Sequence, residues 1–219
     1  MIPSRQLLSS LFSSLSRHPH WSLTRTLHSD NPADIQGQLR GTASFTPLRQ
    51  NPANADCGLV YREDGEMPNT LGVGAGMPGL RWSKKYIWRL SEGKISVWFA
   101  KVAREKAADS GDGQGNVQEA DYLFHEFEFD GSVSEDPTGK HTGTDDPLVT
   151  PPQPPLNFSD NTTVFTARGK HLCINDMYRT AYAFRVDRGT GEVLSWSSRH
   201  VVKGPKKNQD IVNIYQLEG

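Results

Sequence analysis

The sequence predicts an all-β, mainly antiparallel fold: a closed barrel of about eight to ten strands with a short N-terminal helix. Three observations predict it. Segments of period-two alternation follow one another along most of the chain, rich in aromatic and β-branched residues. Gly, Pro, Asn and Asp bound these segments, and Arg188-Gly-Thr-Gly191 and the run from Gly204 to Asn208 read as hairpin turns. Little helix-period sequence separates the strands, which excludes a parallel βαβ layout. A sheet of that many twisted strands curls closed, and closure removes its edges.

The elements follow in order. Leu7, Leu8, Leu11, Phe12 and Leu15 recur at helical spacing, so a short helix can plug one end of the barrel. The same region, with Arg5, Arg17, Arg25, many serines and no acid before Asp30, also has the composition of a mitochondrial presequence. The helix reading is preferred, because residues 21–27 already read as a strand that cleavage would threaten. It leaves the chain cytoplasmic, with a mitochondrial location as the alternative. Residues 21–27 set Trp21, Leu23 and Leu27 on one face together with Arg25. Residues 36–48 carry Leu39, Ala43 and Phe45, and 58–64 align Leu59, Tyr61 and Glu63. Residues 84–90 group Tyr86, Trp88 and Leu90, and 94–101 follow after a tight turn. In 121–130, Leu123, His125, Phe127 and Phe129 share a face opposite Tyr122, Phe124, Glu126 and Glu128. Residues 163–170, 177–187, 192–203 and 209–217 complete the set, and closure requires 209–217 to pair with an early strand, 21–27.

Residues 5–217 read as one domain with two polar inserts, 104–120 and 131–161, expected to be disordered because they bury too little to offset ordering. The second contains Pro151-Pro-Gln-Pro-Pro155. A net charge of −1 argues against phosphate-directed nucleic-acid binding. No apolar run approaches the ~18 residues of a membrane span. Two distant cysteines, Cys57 and Cys173, suit a reducing compartment. No phosphate loop, dinucleotide fingerprint or serine elbow implies a cofactor. The oligomeric state is not readable.

Several residues are candidates for a pocket. Glu63 shares the inner face of its strand, and an inward carboxylate needs a cation. Arg89 is the candidate partner, although alternation sets it opposite Tyr86 and Trp88. An inward His125 needs a polar partner, from Tyr178, Tyr182 or Glu63, or a ligand. His171 and Cys173 lie on one face, too far apart for a direct hydrogen bond and too few for zinc, so no metal site is expected. Tyr61, Trp88, Tyr182 and Trp196 supply aromatic walls.

Gly58-Leu-Val-Tyr-Arg-Glu-Asp-Gly65, Lys85-Tyr-Ile-Trp-Arg89, Phe124-His125, His171-Leu-Cys-Ile-Asn-Asp-Met-Tyr178 and Gly204-Pro-Lys-Lys207, taken together, resemble the family called domain of unknown function six-three-one-four. The likeness runs from about Leu11 to Leu217. It departs at the 131–161 insert and at Leu15-Ser-Arg-His-Pro-His-Trp21, which replaces a Leu-x-Gly-x-Trp opening. The resemblance implies short bacterial or fungal proteins with a lipocalin-like (calycin) barrel, and no chemistry. A barrel of this size can hold one small apolar or amphipathic ligand among a few polar groups. The alternatives are an enzyme using His125, Glu63 and Tyr178 for proton transfer, or an interaction module whose lumen is filled by its own side chains.

Overall fold

The computed structural model describes residues 3–48, 57–66, 81–101, 119–129, 148–156, 161–205 and 207–217. Helix α1 (Arg5–Arg17) comes first, followed by β1 (Trp21–Ser29), β2 (Gly37–Pro47), β3 (Cys57–Glu66), β4 (Arg81–Ser91) and β5 (Lys94–Ala100). Then come β6 (Ala120–Glu126), β7 (Glu128–Phe129), β8 (Thr162–Cys173), β9 (Asp176–Asp187), β10 (Val193–Lys203) and β11 (Asn208–Leu217). All eleven strands form one antiparallel sheet in the order β6-β5-β4-β3-β2-β1-β11-β10-β9-β8-β7. Apart from β6 and β7, which end this order, each strand pairs with its neighbours in sequence, and the first strand pairs with the last, from Trp21↔Leu217 to Ser29↔Gln209. The pairing that closure requires is therefore present.

The circle shuts at one broken strand. β6 pairs with β5 and β7 pairs with β8, so the run through residues 120–129 changes partner at Phe127, whose backbone N–H donates to the Ile95 carbonyl at 2.8 Å. The ten expected runs become eleven strands because of this break. Just before it lies a bulge, where Val97 faces His125 but Trp98 faces Leu123. The intervening Phe124 is the extra residue, so Phe124 and His125 are both buried while Leu123 is exposed. Strict alternation, which placed Leu123 inward and Phe124 outward, fails for that reason.

Ser4 caps α1, its Oγ accepting the Leu7 N–H at 3.2 Å, and Pro19 follows just past the helix end. Leu8, Leu11, Phe12 and Leu15 are buried in one core cluster with Trp21, Phe45 and Trp196. Two hydrogen bonds fix the plug. Ser14 Oγ accepts the Val193 N–H at 2.8 Å, and Trp21 Nε1 donates to the Leu15 carbonyl at 3.3 Å. The segment with presequence composition is thus built into the barrel as α1 and β1. No helix among the described residues is long and apolar enough to cross a membrane.

Residues 148–156, expected within a disordered insert, instead lie as a strap on the outer face of the sheet. Carbonyl acceptors hold it: Arg185 donates to Pro155 and Pro154 at 3.0 and 3.2 Å, Ser195 to Pro155 at 2.7 Å and Ser197 to Pro152 at 2.5 Å. An outward Arg and two serines supply the donors that these carbonyls need, and Val149, Pro151 and Pro154 of the strap are buried. The rest of the two inserts, 104–118, 131–147 and 157–160, lies outside the described residues.

Leu11 is fully buried in the plug. Leu11→Ala should lower stability by about 2–5 kcal/mol, as large-to-small core changes do, with far-ultraviolet circular dichroism of the strands unchanged. Urea denaturation measures it, and a loss within ~0.5 kcal/mol would mean that α1 is not part of the core.

Candidate functional site

The lumen has a filled end and an open end. At the helix end Trp21, Phe45, Trp88 and Trp196 pack edge-to-face or tilted, with centroids 5.1–6.4 Å apart, so side chains fill the barrel there. Towards the opposite end a cavity of about 80 Å³ opens. Tyr61, Glu63, Lys84, Tyr86, Trp88, Phe124, Tyr178, Tyr182, Trp196 and Tyr215 line it, together with Arg25, Ser198 and His200.

One polar network forms a wall of this cavity. Arg25 follows Trp21 and Leu23 on the inner face of β1, and its in-register partner on β11 is Asn213, whose partner on β10 is Ser198. Arg25 Nη2 donates to Glu63 Oε2 at 2.6 Å, and Arg25 Nε to Asn213 Oδ1 at 2.6 Å. Asn213 Nδ2 donates to Ser198 Oγ at 2.9 Å, and Ser198 Oγ lies 3.1 Å from His200 Nε2. Tyr61 Oη donates to Glu63 Oε1 at 2.6 Å, and Tyr215 Oη reaches the same oxygen at 3.1 Å. Arg25 and Glu63 are each 4% exposed. A buried ion pair is tolerated only when its remaining donors and acceptors are also satisfied, and here both Glu63 oxygens are taken. Trp82 covers the guanidinium, with Arg25 Cζ 4.6 Å from its ring centroid. Gly65 permits this, since a Cβ there would come within 2.5 Å of the Trp82 ring.

The electrostatics follow from burial. Burial works to lower the Arg25 pKa, but the charge of Glu63, helped by Tyr215 and Tyr61, outweighs it and the value rises. Burial, then Glu63, holds the Tyr61 and Tyr215 hydroxyls well above their ordinary range, so both stay neutral donors. Burial pushes His125 well below 6.5 and His200 to about 3, the latter with help from Lys84 and Arg25. His200 keeps some exposed surface, so solvent trims its shift while the direction stands. Lys84 falls to about 8 through burial, then repulsion from Arg25. More than a third of its surface is exposed, however, so solvent screening limits the shift and the ammonium form holds at neutral pH.

Most of the candidate residues meet at this cavity and some do not. Tyr61, Glu63, Trp88, Tyr178, Tyr182 and Trp196 line it. Arg89 does not: it lies outside against Trp98, 5.3 Å from the ring centroid, as its parity in β4 requires, and Arg25 is the partner of Glu63 instead. His125 sits behind the wall. Its Nε2 is 3.0 Å from Tyr182 Oη, and its ring rests on Gly169, where a Cβ would come within 2.4 Å. Its Nδ1 has no hydrogen-bond partner among the described residues. Tyr178 is at the rim, accepting from Lys207 Nζ at 2.9 Å, so His125, Glu63 and Tyr178 do not converge as a proton-transfer group. His171 packs in the rim aromatic cluster with Phe124 and Tyr178, at centroid distances of 5.5 and 6.2 Å. Cys173 ends β8 and is a free thiol, as is Cys57. Among the described residues no group of three or more His, Cys, Asp or Glu could hold a metal ion.

The family described as "Family of unknown function (DUF6314)" matches residues 18–148 and 153–217. The chain belongs to this family. The match begins after α1, later than the resemblance from Leu11, and takes in every lumen residue of the network from Arg25 to Tyr215. No curated protein and no solved structure matches. Arg25, Lys84, His200, Asn213 and Tyr215 were missed as candidates. Their signal was parity: Arg25 with Leu23, Lys84 with Tyr86, and Asn213 with Tyr215 occupy the same faces of their strands.

Two outcomes are expected. Glu63→Gln leaves Arg25 buried without its counter-charge and should cost about 3–5 kcal/mol, whereas Arg25→Met with Glu63→Leu should recover most of that loss in the same denaturation assay. Acid should also weaken the fold through the imidazoles of His125 and His200. The folded pKa values of His125 and His200 lie below 6.5, so the unfolded chain takes up protons first, and stability that is full above about pH 6.5 declines as the pH falls. Each histidine contributes a slope approaching about 1.4 kcal/mol per pH unit. Denaturation midpoints that stay flat between pH 7 and about 5 would place both imidazoles in solvent.

Proposed function

We propose that the chain is a binding protein that holds a small, partly apolar molecule in the open half of the barrel. The observation that carries this is the cavity between an aromatic wall and a self-satisfied polar wall. Barrel lumens that serve only as cores are filled by side chains, as the helix end of this one is. Here the filling stops above Trp88 and Trp196. The indole Nε1 of Trp196, a residue lining the cavity, is buried without a hydrogen-bond partner among the described residues. A buried N–H without a partner is uncommon in a finished core.

The size of the space supports a small guest. A volume of about 80 Å³ is well below the ~300–1,000 Å³ of drug-sized pockets and closer to the ~150 Å³ engineered cavity that admits benzene. A ligand no larger than a single ring and its substituent fits that range. The proton-transfer reading gains no support, since the imidazole of His125 and the carboxylate of Glu63 bond to different partners.

Val202 lines the cavity and is 1% exposed, so Val202→Phe should fill the space from one side. Protein isolated from its own host should carry a non-covalent small-molecule mass under native mass spectrometry. Val202→Phe protein from the same host should lose that mass and keep its strand spectrum. Wild-type protein that arrives bare, with a lumen indifferent to Val202→Phe, would favour the filled-barrel alternative.

A further inference from the structure

We propose that the lumen selects an anionic guest: a carboxylate of single-ring size whose charged end pairs with Lys84 and whose apolar body lies among Tyr86, Phe124 and the Trp88–Trp196 floor. This rests on the lumen-binding reading above and adds the chemical class of the ligand.

The register carries the argument. Glu63 pairs with Lys84 across β3 and β4, and alternation along β4 sets Lys84 on the same inner face as Tyr86 and Trp88. A lysine opposite a glutamate ordinarily pairs with it. Here Glu63 is already committed, with Oε2 to Arg25 and Oε1 to Tyr61 and Tyr215. Lys84 forms no ion pair or hydrogen bond among the described residues. Charge counting gives the same answer. Of the cavity-lining residues, Arg25 and Lys84 are cationic and Glu63 is the sole acid, while burial holds Tyr61, Tyr86, Tyr182, Tyr215 and His200 neutral. One positive charge is therefore left without a counter-ion at the mouth of an aromatic cavity. Lys207 lies close enough to repel Lys84 and adds to the positive potential there. A mouth of this kind steers and retains anions and rejects cations. The rings beneath it supply mainly apolar surface with few polar atoms. A carboxylate at the rim with a planar body below matches that distribution.

The simplest opposing account is that Lys84 only extends into solvent with its stem along the rim. The two separate in a titration of the full chain, followed by tryptophan fluorescence, with three probes of one shape: benzoate, benzamide and benzylamine. Benzoate should bind about tenfold or more tighter than benzamide, the size of a charge-assisted hydrogen bond, and benzylamine should not bind. Lys84→Met should bring benzoate down to the level of benzamide, and Lys84→Arg should restore its preference. Benzamide binding as well as benzoate to the wild type, or Lys84→Met leaving the preference intact, would overturn the anion inference and leave lumen binding standing. If none of the three binds, the lumen-binding reading fails, and this inference with it.

Discussion

The buried ion pair between Arg25 and Glu63 is the constraint around which the open half of the barrel is arranged. Two charges removed from water cost several kcal/mol each unless their geometry and remaining hydrogen bonds are nearly complete. Completing them takes residues from separate strands: Asn213 and Tyr215 from β11, Tyr61 from β3 and, one bond further, Ser198 from β10. Those partners meet only if β1 sits between β2 and β11 in the observed register. A one-residue slip of β1 would carry Arg25 to the outer face and break its bonds to both Glu63 and Asn213. The pair adds little net stability compared with an apolar isostere, but it penalises wrong registers heavily. It also consumes Glu63, and that is why Lys84 is left over.

The two halves of the barrel use aromatic residues differently. Near α1 they interdigitate, and the helix contributes Leu11 and Phe12 to the same cluster, so nothing is left open. In the open half the rings stand around the wall. Where the cavity begins, Trp196 and Tyr215 stack face to face with centroids 3.4 Å apart, and Tyr182 stacks on Phe127 at 4.5 Å.

Much of the fold was legible because alternation is a direct record of which side of a sheet a residue faces. The strands follow from it, the helix stripe through Leu11 and Leu15 from helical spacing, and the first-to-last pairing from the need to close the sheet. The site was legible in part. Glu63 and its need for an inward cation were readable, and parity already argued against Arg89. The correct partner stood in plain view beside Leu23, but choosing Arg25 required knowing that β1 and β3 lie one strand apart. The bulge at Phe124 could not be read, because an inserted residue breaks the period without leaving a distinctive residue type behind. The strap escaped for a different reason: its hydrogen bonds come from Arg185, Ser195 and Ser197, far along the chain, while its own composition suggests disorder.

A small anion that binds as proposed enters the lumen past Lys84 rather than adhering to the outer surface. The most direct measurement is a nitrogen-15 NMR titration of the full chain with benzoate, following tryptophan indole and arginine Nε–H resonances. The indole of Trp196 and the guanidinium of Arg25, both at the cavity wall, should shift together and saturate at one concentration. The indole of Trp98, hydrogen-bonded to Ser96 on the outer face, should stay fixed. Shifts confined to Trp98 and other outward groups, with Trp196 and Arg25 unmoved at saturation, would contradict the account.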